Sequence, residues 1–132
     1  MRQLSDLLGL RQRRQAKVNK EGSPFFRYVP GIIAAAGDDY IWIGTQFPAA
    51  AKYGTLDWYE IVNNSAVNLT ITINGVQTHL VPAGTARKDD NTAIHSFNIH
   101  DDSLITATAV GEVVVTFQRQ PMTEDRAIRG AL

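Results

Sequence analysis

The chain has 132 residues, no cysteine, and 13 basic residues matched by 13 acidic ones. That length fits one domain able to bury about two-thirds of its unfolded surface. The absence of cysteine excludes disulfides, a thiolate nucleophile and a Cys-type zinc site, and 44% hydrophobic with 20% charged residues excludes wholesale disorder.

The zero net charge divides along the chain. Residues 1–28 carry seven basic residues against two acidic ones, and residues 29–132 carry six against eleven. The organisation expected is a basic N-terminal arm over 1–22, a β domain over 23–120 and a short tail over 121–132. The leucines of Met1–Leu10 precede the positive cluster, the reverse of a secretory signal, so no signal peptide is expected. The longest apolar run, Ile32–Ala36, is far short of a membrane span; a soluble chain with no membrane partner is expected.

In the arm, Ser5 or Asp6 is suited to cap a short helix carrying Leu4, Leu7, Leu8 and Leu10. Beyond Leu10 only Ala16 and Val18 offer apolar contacts, so the arm reads either as a solvated terminus or as a segment that orders on a partner. In the second case Leu4, Leu7 and Leu8 are the anchors, and Arg11, Arg13, Arg14, Lys17 and Lys20 the electrostatic contacts. Such a basic cluster suits an acidic protein surface or salt-sensitive, non-specific nucleic-acid contact. It lacks the aromatic interleaving of a single-strand platform.

Glu21–Pro30 reads as a connector punctuated by Gly22, Pro24 and Pro30. A strand is expected at Tyr40–Thr45, bounded by Gly37-Asp38-Asp39, and another at Trp58–Asn63, ending in Asn63-Asn64-Ser65. Val67–Ile73 alternates apolar and polar residues without a fault, the signature of a half-buried antiparallel strand. Asn74-Gly75 then predicts a type I′ hairpin. Val76–Val81 returns as its partner, and Pro82-Ala83-Gly84 stops it. Strands follow at Ala93–Ile99, Leu104–Ala109 and Glu112–Gln118, separated by turns at Arg87–Asn91, Asp101-Asp102 and Gly111. The tail offers one capped turn at Thr123-Glu124-Asp125. The fold class expected is all-β: an antiparallel β-sandwich or jelly-roll-like barrel of about six to eight strands, with an extended, partly helical basic arm.

Candidate chemistry is sparse. His95 is placed by alternation on the face of Ala93, Phe97 and Ile99, as a core-edge histidine. His95, His100 and Asp101 form the one group close enough in sequence to test for a metal, but nothing on a strand and turn makes them converge, and no metal or cofactor is expected. The acidic pairs Asp38-Asp39, Asp89-Asp90 and Asp101-Asp102 read as turn residues capping local backbone. Nucleophile-elbow, phosphate-loop and dinucleotide patterns are missing, so no catalytic residues are assigned and an enzyme is not expected. Tyr40, Trp42, Trp58 and Tyr59 read chiefly as core; Trp42 and Trp58 are the candidate ligand-facing rings. A sugar platform requires two rings exposed on one face.

From Asn63-Asn64-Ser65 through Gln118, the strings IVNNSAVNLTITING, HLVPAGT and GEVVVTFQ resemble small β-sandwich accessory proteins of tailed bacteriophage particles. These are capsid decoration (cement) proteins and small head or tail adaptors. The resemblance implies a non-enzymatic virion structural protein, assembled in the host cytoplasm, whose arm clasps a neighbouring subunit. Its partners would be other virion structural proteins and further copies of itself. It carries over no specific functional residue. A glycan-binding module, or nucleic-acid contact through the arm, is the alternative.

Overall fold

In the computed structural model the chain is described for residues 4–90 and 92–121, with side chains described for 12–20, 22–90 and 92–121. Helix α1 spans Leu4–Glu21, so Ser5 and Asp6 lie within the helix instead of capping it. Its Gln-, Arg- and Lys-rich sequence favours helix through straight, low-cost side chains. It stops at Gly22, which takes φ +78° and bonds its N–H to the Val18 carbonyl at 2.7 Å. That is a left-handed C-terminal cap, a conformation glycine adopts without Cβ strain.

Among the described residues eight strands follow: β1 Phe26–Tyr28, β2 Asp38–Trp42, β3 Trp58–Asn63, β4 Leu69–Ile73, β5 Gln77–Val81, β6 Thr85–Asp90, β7 Ser96–Asp101 and β8 Val113–Gln118. They form two four-stranded antiparallel sheets, ordered β1-β8-β3-β6 and β2-β7-β4-β5. The pairs β1·β8, β2·β7, β3·β6 and β4·β5 are nested like one long hairpin rolled over itself. This is the double Greek key of a jelly roll, an architecture used by capsid, lectin and cupin domains alike.

The alternation expected at Val67–Ile73 holds over β4, which begins at Leu69, and β3 alternates in the same way. Tyr59, Ile61 and Asn63 on β3, and Leu69, Ile71 and Ile73 on β4, point inward and are buried. With Phe97, Ile99, Val113, Val115 and Phe117 they fill the space between the sheets. Phe97 stands edge-on to both Tyr59 and Phe117, with ring centroids 5.4 and 5.3 Å apart, the geometry the ring quadrupole favours.

Other segments depart from expectation, each for a tertiary reason. The connector contains β1, which exists because Phe26, Arg27 and Tyr28 pair with β8. Asp38 and Asp39 are not a turn but the start of β2, paired with His100 and Ile99. The strand expected through Thr45 ends at Trp42; Ile43 sends its N–H to the His95 carbonyl, and a one-turn helix α2, Ile43–Gln46, carries the chain away. A 3-10 helix, Pro48–Tyr53, follows.

The Asn74-Gly75 turn has both residues at positive φ, as predicted. The register nevertheless pairs Ile73 with Gln77, making Val76 a third loop residue. Thr85–Asp90, whose second half reads as a turn from sequence, is strand β6, held by six pairs with β3. Its charged composition suits an edge strand, where charge discourages pairing with other chains. Leu104–Ala109 is no strand at all. Ser103 bonds the N–H groups of Ile105 and Thr106 through its hydroxyl, and Thr108 is tied to Ile33. The turn expected at Thr123-Glu124-Asp125 lies outside the described residues.

Helix α1 lies against the body near the 3-10 helix. Val18 is fully buried, and Gln15 bonds to the Gln120 carbonyl and to the Arg119 guanidinium. The C-terminal half of the arm is thus ordered on its own domain. Arg13, Lys17 and Lys20 are on its exposed side.

Among the described residues, Asn63 is the most heavily bonded polar side chain in the interior. Fully buried at the end of β3, it donates through Nδ2 to the carbonyls of Val67 (2.9 Å), Val81 (3.0 Å) and Pro82 (3.3 Å). Its Oδ1 accepts from the Ser65 N–H (3.0 Å) and hydroxyl (2.6 Å). Asn63→Ala should therefore cost about 2–4 kcal/mol in urea unfolding, because buried carbonyls lose their donors. Asn63→Asp should cost no less, since a carboxylate turns an acceptor toward those carbonyls. A loss below about 1 kcal/mol in both variants would contradict this role.

Candidate functional site

The connections of a jelly roll gather at the two ends of the barrel, and here the ends differ in chemistry. At one end the β1–β2 loop and the β7–β8 loop are sewn together. Ala36 N–H bonds Ser103 O (2.7 Å), Thr108 N–H bonds Ile33 O (3.0 Å), and Ile33 N–H bonds the Thr108 hydroxyl (3.0 Å). The β3–β4 loop joins through Asn64 N–H to Glu112 O and Asp102 N–H to Asn68 O; the β5–β6 turn joins through Ala83 N–H to the Asn68 side chain.

This network presents apolar side chains to solvent. Ile32 is 69% exposed, Leu104 84%, Ile105 91% and Val110 67%. Residues 29–37 and 103–111 contain no Asp, Glu, Lys, Arg or His. Apolar residues exposed singly are ordinary; here the fold brings four of them onto two ordered loops bonded to each other. Alternation alone reads Leu104–Ala109 as a strand; the usable signal is the absence of charge over two loop segments that the fold brings together.

The other end carries a cleft of about 200 Å³ between the end of β2, α2, the 3-10 helix and the β6–β7 loop. Trp42, Pro48, Ala51, Thr55 and His95 are among its lining residues. Asn74 ties the β4–β5 hairpin to this end, donating to Ala93 O (2.7 Å) and accepting from the N–H groups of His95 (2.7 Å) and Ser96 (3.2 Å).

The two candidate tryptophans do not converge. Trp42 projects from the outer face of the β2 sheet. Trp58 is half-buried on the other sheet, packed against Phe25 at 5.9 Å. Of the aromatics read as core, Tyr59 is core, whereas Tyr40 and Trp42 are 59% and 53% exposed on the same face of β2.

The suggested metal group is dispersed. His95 precedes β7 and is exposed, not a core-edge residue. His100 lies on the outer face of its sheet, where Nδ1 is 3.0 Å from Asp38 and Nε2 3.8 Å from Asp102. Asp101 points inward and is fully buried; its Oδ1 caps the Ser103 N–H at 2.8 Å, and its Oδ2 has no hydrogen-bond partner. Among the described residues no group of three or more His, Cys, Asp or Glu side chains is placed to hold a metal.

The acidic pairs serve mainly as cross-strand partners rather than turn caps. Adjacent strand residues face opposite sides of a sheet, so the two carboxylates of a pair cannot face each other across a substrate. Asp38 accepts from Asn98 at 2.9 Å and Asp39 from the Tyr28 hydroxyl at 2.7 Å. Asp89 takes the Tyr59 hydroxyl at 2.5 Å and Arg87 at 3.0 Å, and Asp102 takes the Thr70 hydroxyl at 2.7 Å. The Asn98 amide chiefly holds the Asp38 carboxyl below its ordinary range; desolvation opposes it, and His100 adds to the lowering.

Of the arm residues named from sequence, Arg14 lines a second cavity with Thr55 and Arg119. Arg13, Lys17 and Lys20 are exposed. The side chains of Leu4, Leu7, Leu8 and Arg11 lie outside the described residues. No described helix is long and apolar enough to cross a membrane.

Fold and site together define, over the described residues, an eight-stranded jelly-roll domain with an end whose loop segments 29–37 and 103–111 are apolar and carry no charged residue, Asp102 and Glu112 flanking the second. No protein-family model and no curated protein matches the chain. Similar solved structures include the mitogen derived from Yersinia pseudotuberculosis, at 16% identity and a TM-score of 0.40, covering 78% of this chain and 92% of that one. The Tobacco streak virus coat protein is similar at 11% identity and a TM-score of 0.41, covering 79% and 91%.

Burial, and then the bond to Asp89, push the Tyr59 hydroxyl up from 10.0 to about 12. The unfolded chain releases this proton near pH 10 while the folded chain holds it, so the contact stabilises fully below pH 10. That contribution is lost as pH rises toward 12. Unfolding free energy should fall across that window, and Tyr59→Phe should flatten the fall; an alkaline limb unchanged in this variant would contradict the assignment.

Proposed function

We propose that the chain is a non-enzymatic structural subunit of a virus particle, of the phage capsid decoration (cement) or head–tail accessory kind. It would assemble in the host cytoplasm, docking on neighbouring virion proteins and on copies of itself through the apolar end of the barrel. The observation that carries this reading is the exposure of Ile32, Leu104, Ile105 and Val110 on hydrogen-bonded loop segments, 29–37 and 103–111, that contain no charged residue. Interface centres are depleted of charged residues in just this way, since burying a charge on association is costly. The surrounding network supplies preorganisation, which lowers the entropy lost on docking.

The arm adds a second contact. Its body-facing side is occupied by Gln15 and Val18, and its outward side carries Arg13, Lys17 and Lys20. A basic outward face on a chain whose residues 29–132 are net acidic suits the acidic surface of a neighbouring copy and raises avidity without a larger domain. The split carboxylate pairs, each bonded to a structural partner, favour a scaffold over an acid–base centre.

Replacing Leu104 and Ile105 together by Asp should change unfolding free energy by less than about 0.5 kcal/mol, because both side chains are already in water. The same variant should sediment as a monomer where the parent forms oligomers, and should fail to enter particles. A parent that stays monomeric, with the variant entering particles as well as it does, would remove the basis for the reading.

Deleting residues 1–20 should leave the sandwich folded, at a cost no smaller than the ~1.5–3 kcal/mol supplied by burying a side chain the size of Val18, with the Gln15 bonds lost as well, and should abolish incorporation. If the arm instead serves nucleic acid, the full chain will bind random duplex with a steep salt dependence that the deletion removes.

A further inference from the structure

The outer face of the β2-β7-β4-β5 sheet has a composition that neither core packing nor the apolar end accounts for. Register places Asp38, Tyr40 and Trp42 in a line along edge strand β2, opposite His100, Asn98 and Ser96 of β7. Thr70 and Thr72 of β4 come next, opposite His100 and Asn98. Residues two apart on a strand lie roughly 7 Å apart on one face, so Tyr40 and Trp42 make a short strip of two exposed rings. At the Trp42 end the strip opens into the cleft lined by Gly44, Pro48, Ala51, Thr55 and His95. At the Asp38 end it meets a hydrogen-bonded polar network. Asn98 Nδ2 and His100 Nδ1 both reach Asp38 Oδ1, at 2.9 and 3.0 Å, and the Thr70 hydroxyl reaches Asp102 at 2.7 Å.

Two large rings left in water beside an ordered set of donors and acceptors form an amphipathic surface. One class of ligand matches both halves. A pyranose ring has a C–H face that packs on an aromatic ring, and a rim of hydroxyls that each donate and accept. Rings supply apolar contact with few torsions to freeze, while a few fixed polar groups set orientation. Asp38 is suited to the hydroxyl role because both of its bonds land on one oxygen and its side chain is 57% exposed. With Asp38 and Asp102 both on this face, a sugar bearing carboxylate or sulfate would meet like charge.

We propose that the Tyr40–Trp42 strip and the adjoining cleft form a binding site for a neutral oligosaccharide, with Trp42 and Tyr40 as stacking rings and Asp38 and Asn98 as hydroxyl partners. The site lies on a different surface from the apolar end and does not depend on it. A subunit with both would hold an assembly by one surface and present a glycan-binding face at another.

The test uses the full chain carrying Trp58→Phe, so that all indole emission comes from Trp42. Maltotetraose, cellotetraose and chitotetraose are titrated separately and followed by fluorescence and calorimetry. The expected result is saturable binding of at least one, weakened at least about tenfold by Tyr40→Ala, a loss of about 1.4 kcal/mol. Trp42→Ala, followed by calorimetry with Trp58 intact, should abolish binding while leaving the melting temperature within about 3 °C. Asp38→Asn should weaken it by a smaller factor. No saturable response to any of the three up to their solubility would overturn the proposal, as would binding that survives Trp42→Ala. A concentration-dependent dimer lost in Trp42→Ala but kept in the Leu104/Ile105 double variant would also overturn it, giving this face to a second copy.

Discussion

The Asn63 side chain is the constraint on which the organised end of this barrel rests. A jelly roll must bring four connections together where strands leave both sheets, and backbone groups there lose their ladder partners. Unpaired carbonyls in a buried position are costly. One carboxamide resolves several at once: its two N–H groups serve the β3–β4 loop and the β5–β6 corner, and its oxygen holds Ser65. Only glutamine shares this combination of two donors and a two-lone-pair acceptor, and it is one methylene longer.

With that corner fixed, the neighbouring loops inherit a defined shape. Asn64 and Asn68 link the β3–β4 loop to the β7–β8 loop, and Thr108 and Ser103 link the latter to the β1–β2 loop. The apolar residues carried by those loops are therefore displayed on an ordered frame. Asn74 acts comparably at the opposite end, where its side chain gathers Ala93, His95 and Ser96 beside the Trp42 cleft. In both places an asparagine in a turn sequence does more than allow a turn: its side chain substitutes for missing sheet bonds.

Much of the body was legible in advance because its signals are local. Strand β3 is where pattern places it, β4 has the expected faces, and the positive φ values of Asn74 and Gly75 follow from turn chemistry. The misreadings share one cause. Phe26–Tyr28, Thr85–Asp90 and Leu104–Ala109 carry weak or misleading periodicity, and their state depends on whether a partner strand is available. Phe26–Tyr28 and Thr85–Asp90 find β8 and β3; Leu104–Ala109 finds none, because the segment must cross from β7 in one sheet to β8 in the other.

The same division governs the candidate sites. The sequence by itself determined the all-β class, the lack of thiol chemistry, the basic arm and the aromatic residues available for contact, since these follow from composition and short-range pattern. Only the tertiary structure decided which of those residues meet. It separated Trp42 from Trp58, put Tyr40 beside Trp42, scattered His95, His100 and Asp101, laid the arm's Val18 on its own domain, and joined two charge-free loops more than sixty residues apart. The physical reason is that strand pairing is non-local: alternation fixes which side of a strand a residue occupies, while register and sheet order fix its neighbours.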